Sequence, residues 1–179
     1  MRWLVLCIAF SASTAAADTT YGVGVETVFV DLHAQPAGEI GIASRVTFGR
    51  RVQLLGELSL GEMLSDGPLG LAVDARIGAR VRAITFEHDA ELLFDAGAGL
   101  ERMWSHDGPT VGRGYGFVGW GTRIRAHTRA YELTLRILAS PTLDDPEALR
   151  VLCRGTCPPP SDLPPLDLGV AVQGNVVWW

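Results

Sequence analysis

Apolar and polar side chains alternate with a period of two along most of the chain, which predicts eight β segments. The first sets Tyr21, Val23, Val25, Thr27 and Phe29 against Gly22, Gly24 and Glu26. The second sets Ile40, Ile42, Ser44, Val46 and Phe48 against Glu39, Gly41, Arg45 and Thr47. The third opposes Val52, Leu54, Leu58 and Leu60 to Gln53, Glu57 and Ser59. In the fourth, Leu69, Leu71, Val73, Ala75, Ile77, Ala79 and Val81 alternate with Gly70, Ala72, Asp74, Arg76, Gly78 and Arg80. The fifth opposes Leu92, Phe94, Ala96 and Leu100 to Glu91, Asp95 and Glu101, and the seventh opposes Tyr131, Leu133 and Ile137 to Glu132, Thr134 and Arg136. The eighth opposes Leu166, Leu168, Val170, Val172, Val176 and Trp178 to Asp167, Gln173 and Asn175. The sixth breaks the pattern: Tyr115 and Phe117 share one phase, and Val118, Trp120, Thr122 and Ile124 share the other. A bulge near Val118 would restore one apolar face and turn Arg123 and Arg125 inward.

The connections alternate in length. Short ones fall at 49–51, 88–89 and 127–128, and long ones at 31–38, 62–68, 105–113 and 140–165. This layout predicts an all-β fold, an eight-stranded antiparallel up-and-down transmembrane barrel, with tight turns inside and larger loops outside. Alternation alone does not say which face points out, but three features favour an apolar exterior. The polar face is rich in glycine (Gly22, Gly24, Gly41, Gly78, Gly97, Gly99), which suits a cramped lumen. It carries both signs: Glu26, Glu57, Asp74, Asp95 and Glu132 with Arg45, Arg76, Arg80 and Arg136. Desolvated charges need such partners. Aromatic residues also cluster at segment ends, with Tyr21, Phe48, Tyr131 and Trp178 on an inner rim and Phe29, Trp104 and Tyr115 on an outer one, as the two girdles of a membrane barrel do. An eight-strand tube is just wide enough to be filled by side chains, so the expected lumen is an ionic network without an open pore.

Residues 1–17 read as a cleavable export signal: Arg2, the apolar stretch from Trp3 to Phe10, then Ala15-Ala16-Ala17. Residues 18–179 form the barrel domain. Losing Arg2 takes the formal charge from −5 to −6, which argues against nucleic acid. All 15 basic residues are arginine, consistent with a small water-facing area. Export permits disulfides, and Cys153 and Cys157 are close enough in sequence to form a local clip. A zinc site would need two more good ligands nearby. In the same connection, Asp144 or Asp145 can cap a helical turn, with Pro146 at its first position and Gly155 at its end.

With its export signal, eight alternating strands, short turns and the closing run Val176-Val177-Trp178-Trp179, the chain resembles the small eight-stranded outer-membrane barrels of the OmpA/OmpX-like class over residues 18–179. The resemblance implies insertion by the outer-membrane barrel assembly machinery, which reads an aromatic final residue preceded by alternating apolar ones. Here the apolar alternation is in phase with Trp178 rather than Trp179. The other expected partners are outer-membrane lipids and lipopolysaccharide.

Little of the chain points to catalysis. Gly114 to Gly119 matches G-x-G-x-x-G, but more strand follows instead of the helix N-terminus that holds a pyrophosphate. Ser105, His106 and Asp107 are adjacent, and neighbours in a strand or turn point apart, which argues against a working triad. The expectation is a non-enzymatic envelope or surface-loop barrel with no cofactor and no metal. The alternatives are a periplasmic soluble barrel that binds an apolar ligand with the same face turned inward, and a lipid A-modifying enzyme.

Overall fold

A computed structural model of the chain describes residues 19–32, 35–64, 70–86, 89–104, 110–141 and 166–179. The remaining positions lie outside the description, and with them the export signal, Ser105, His106, Asp107, Cys153, Cys157 and the helical turn expected after Asp144. Eight strands form: β1 (Thr19–Leu32), β2 (Gln35–Phe48), β3 (Val52–Leu64), β4 (Leu71–Thr85), β5 (Ala90–Trp104), β6 (Thr110–Ala126), β7 (Arg129–Pro141) and β8 (Leu166–Trp178). Each pairs antiparallel with its sequence neighbour. β1 closes on β8 from Tyr21↔Trp178 to Asp31↔Leu168, so the sheet is a closed barrel in chain order. Closure removes every free strand edge, the one backbone arrangement besides a helix that satisfies its own hydrogen bonds in hydrocarbon.

The faces are distributed as an inside-out protein. Every strand presents large apolar side chains outward, among them Val25, Ile42, Leu58, Ile77, Leu100, Val118, Leu133 and Val170, all exposed. The buried side chains include Glu26, Arg45, Glu57, Asp74, Arg76, Arg80, Asp95, Glu132 and Arg136. Outward charges on the described strands stand only near the two ends, as with Glu62 and Arg102 at one and Arg129 at the other. A soluble barrel with an apolar hollow needs the opposite arrangement, so that alternative is set aside.

Two expectations change. β1 and β2 pair out to Leu32↔Gln35, so the first outer connection is two residues long, not a loop over 31–38. The pairing is antiparallel and continuous through Phe29↔Gly38 and Asp31↔Pro36, so the hairpin simply extends past the membrane-length part. β6 needs no bulge: its pairing with β5 runs unbroken from Ala90↔Ile124 to Trp104↔Thr110. The phase that looked broken is maintained, with Tyr115 and Phe117 buried and Gly112, Gly114 and Gly116 facing out. The register shift lies between β4 and β5 instead, at Arg82/Ile84.

The inward aromatics of β6 fit because β5 clears space for them. A Cβ at Gly99 would stand 2.4 Å from Tyr115 Cζ, and one at Gly97 would stand 2.8 Å from Phe117 Cζ. The tight turns also use special backbone. Gly49 has φ 121°, and a Cβ there would meet Val52 O at 2.2 Å. His127 takes the left-handed region at φ 57°, which a two-residue hairpin turn demands.

Gly99→Val will push the Tyr115 ring off its site and lower unfolding stability by about 1–3 kcal/mol, the usual cost of overpacking. Urea titration of the detergent-folded protein checks this. Adding Tyr115→Ser will cost less than the two single changes summed, because the clash is then gone.

Candidate functional site

The inward row of each strand delivers its polar side chains into one narrow lumen. Strand period fixes which residues enter, and distance from the tight-turn end fixes their depth. Nearest the turns stand Arg45, Arg82, Arg123 and Arg125 with Glu91 and Glu132. In the middle stand Arg80 and Arg136 with Glu26, Glu57 and Asp95. Toward the loop end stand Arg76 and Arg113 with Glu39, Asp74, Glu101 and Asp167. The lumen therefore runs from basic at the turn end to acidic at the loop end.

The pairs cross the tube. Arg136 of β7 donates Nη1 and Nη2 to the two Glu57 oxygens of β3 at 3.0 and 2.8 Å. Those strands lie on opposite walls. Arg80 of β4 donates to Glu132 of β7 at 2.8 Å and to Asp95 at 2.7 Å, and Arg136 also reaches Asp95 at 3.1 Å. Arg76 of β4 forks onto Glu26 of β1 and also reaches Asp74, while its Nε donates to Tyr115 Oη at 2.6 Å. Arg45 of β2 donates to Glu132, and Gln173 of β8 donates to Glu57. Arg123 Nε donates to Glu132 at 2.5 Å. Glu132 thus gathers three arginines from three strands. Arg80, Arg123 and Arg136 are among the largest fully enclosed side chains. Arginine suits this role: it stays charged, spans the lumen, and offers five donors in a fixed plane.

All nine residues read as the lumen network lie together inside the barrel. The sequence reading missed the loop-end pair of Arg113 with Glu101 and the Tyr115 hydroxyl, which donates to Asp74, whereas Arg123 and Arg125 do turn inward, toward Glu91, without the expected bulge. Glu91 and Glu101 are in phase with Asp95, so the alternation of β5 already carried that signal. Tyr115 is a correction: it is 5 % exposed and belongs to the lumen, not to the outer aromatic rim. Of the other rim residues, Tyr21, Tyr131 and Trp178 are exposed and Phe48 is half-buried at the turn end, while Phe29 and Trp104 are exposed toward the loop end. Among the described residues no group of three His, Cys, Asp or Glu side chains is placed to hold a metal ion.

These features define the class: the fold is that of the small eight-stranded outer-membrane β-barrels. Among solved structures the chain is similar to Neisserial surface protein A, with a TM-score of 0.68 at 7% identity over 91% of this chain and 98% of that one. It is also similar to Ail, the attachment invasion locus protein of Yersinia pestis, with a TM-score of 0.52 at 12% identity over 91% of this chain and 99% of that one. That structure was solved in complex with the heparin analogue sucrose octasulfate. No protein-family model matches the chain, and no curated protein does.

Glu132→Ala will leave Arg45, Arg80 and Arg123 facing one another and lower stability by about 3–5 kcal/mol, the cost of orphaning buried charge. Arg129→Gln, at an exposed turn-end position, will change it by less than about 0.5 kcal/mol. Urea midpoints of the two variants in the same detergent compare them directly.

Proposed function

We propose that the chain is an integral outer-membrane barrel whose lumen is sealed by its own ion pairs, and that it acts as an envelope component presenting its outer connections at the cell surface. The observation that carries this is the belt of exposed apolar side chains on all eight strands, free of charge between its ends. A soluble monomer rarely exposes apolar patches of more than a few hundred Å². Exposed Tyr21, Tyr131 and Trp178 at one rim, with Phe29 and Trp104 at the other, supply the interfacial anchors such a belt needs. On this reading the tight turns face the periplasm, and the long connection after Pro141 faces outward, clipped by Cys153 and Cys157. Lipopolysaccharide, outer-membrane phospholipid and the barrel assembly machinery are its partners.

The sealed lumen supports a structural role over a transport one. Struts from Arg136 to Glu57 and from Arg76 to Glu26 join walls four and three strands apart. A lipid A-modifying enzyme would draw on Ser105 and His106, which lie outside the described residues.

Fractionation tests the location: the protein is expected in the outer-membrane pellet, released by detergent and not by urea or carbonate. Release into detergent-free buffer as a folded species overturns the reading. Reconstituted in planar bilayers, the protein will give no steady conductance steps, and a regular open-channel current would remove the sealed lumen. Ile77, 63% exposed near the centre of the β4 belt, faces the acyl chains on this reading. Ile77→Arg will cost about 2–4 kcal/mol of folding free energy in lipid vesicles.

A further inference from the structure

We propose that the turn-end mouth of the barrel is a binding site for a phosphate ester. It rests on the membrane reading only for which phosphates reach it. A cavity of about 440 Å³ opens there, lined by Thr19, Thr20, Arg82, Arg123, Arg125 and Trp179. Arg123 is delivered by the inward row of β6. Arg125 follows on the same face where the strand ends, with its side chain 38% exposed to the opening. Arg82 enters from β4 beside the register shift with β5.

The charge around the cavity is lopsided. Glu91 receives Arg125 Nη2 at 2.8 Å and Arg123 Nη1 at 3.3 Å, with Arg82 Nε 3.9 Å away. Glu132, the next carboxylate inward, is already shared by Arg45, Arg80 and Arg123. Among the described residues, Glu91 and Glu132 thus serve Arg45, Arg82, Arg123 and Arg125 and part of Arg80. The surplus is positive and lies at the open end of the lumen, where an anion can enter without crossing the struts.

Geometry narrows the anion. The guanidinium of Arg125 lies 5.5 Å from the ring centroid of Trp179, a cation–π contact between two residues of the cavity wall. Converging guanidiniums favour a group with several oxygens in a fixed spread, which phosphate offers and a single carboxylate does not. Thr19 and Thr20 complete the wall. Thr20 Oγ1 shares a 2.6 Å hydrogen bond with Thr47 Oγ1, in which either oxygen can donate. The cavity is several times larger than a phosphate group, and Trp179 supplies an aromatic surface, so an ester with an organic part fits better than the bare ion. Two sources carry that chemistry: a soluble phosphate ester, or the headgroup of a phospholipid. Tyr21 and Trp178, paired across β1 and β8 beside this mouth, mark the depth at which headgroups lie.

The test reads the side-chain Nε–Hε resonances of Arg123 and Arg125 in the full chain, folded in phosphate-free maltoside micelles. Inorganic phosphate and glycerol 3-phosphate are titrated in, with chloride at matched ionic strength as control. A second arm compares nanodiscs of phosphatidylglycerol with nanodiscs of a phosphate-free galactolipid. Saturable shifts with glycerol 3-phosphate support the site. Shifts that separate the two nanodiscs assign it to the headgroup, and their absence there assigns it to the soluble ester. Arg125→Gln and, independently, Arg82→Gln will weaken binding at least about tenfold, the usual worth of one charge-assisted hydrogen bond. Both variants keep the wild-type mobility shift between boiled and unboiled samples. Shifts matched by chloride, or affinity unchanged in both variants, overturn the proposal. A chain that resides in the membrane yet shows no phosphate-specific shift ends this inference and leaves the membrane reading intact. A chain soluble without detergent that still binds the ester does the reverse.

Discussion

Buried charge that must be neutralised within a tube of fixed width governs this protein. Eight strands close into a cylinder that side chains just fill, and the outer face is committed to apolar residues. Whatever is polar must therefore meet its partner inside. A buried ion pair stabilises only when its geometry is good and its remaining donors are satisfied. Glu57 takes both Nη atoms of Arg136 and the amide of Gln173, so that three strands are tied through one carboxylate, while among the described residues Arg136 Nε is left without a hydrogen bond. Glu132 does the same nearer the turns with Arg45, Arg80 and Arg123. These residues are far apart in sequence, so the network forms only when the barrel closes. It therefore favours one register over a slipped one, which would move each charge to the apolar face.

Space inside the tube is the second constraint, and β5 and β6 share it unequally. Gly97 and Gly99 give up their side chains, and Phe117 and Tyr115 occupy the room. The aromatic rings then line the arginines: Arg136 lies 5.2 Å from the Phe117 centroid and Arg76 5.9 Å from that of Tyr115. Tyr115 also joins the polar network through its hydroxyl, which receives Arg76 and donates to Asp74. A ring that packs against glycine and bonds two charges joins the steric and the electrostatic solutions at one position.

Most of the barrel was legible because period-two alternation is a local signal. In β4, Ile77 and Arg76 declare their faces from sequence alone. β6 was misread for a physical reason: its outward row near the loop end is glycine, and its inward row there is aromatic. Hydrophobicity assigns Tyr115 and Phe117 to the lipid side, and only the empty positions at Gly97 and Gly99 on the neighbouring strand reverse that. This is pairing information, and no single segment contains it. The same holds for Arg113 and Glu101, whose partnership depends on β5–β6 register. The hairpin at 31–38 was read as a loop because Asp31, Pro36 and Gly38 are poor strand residues. Pairing with the regular stretch below carries the ladder through them.

The arrangement of the struts bears on whether the lumen conducts. An ion path along the axis would need Arg136 to leave Glu57, Arg76 to leave Glu26, and Arg80 to leave Glu132 and Asp95, since these pairs lie at successive depths. Each separation orphans buried charge at about 3–5 kcal/mol. The losses are not independent, because Glu132, Glu57 and Asp95 are shared, and freeing one arginine leaves its neighbours overcharged. A side-chain rearrangement that opened the tube would thus have to move several arginines together, with few acceptors to receive them. The axial asymmetry adds a further obstacle. A cation entering from the acidic loop end meets an excess of guanidinium at the turn end, and an anion meets the converse. On the proposed reading, the same residues that tie the closed barrel together oppose passage through it.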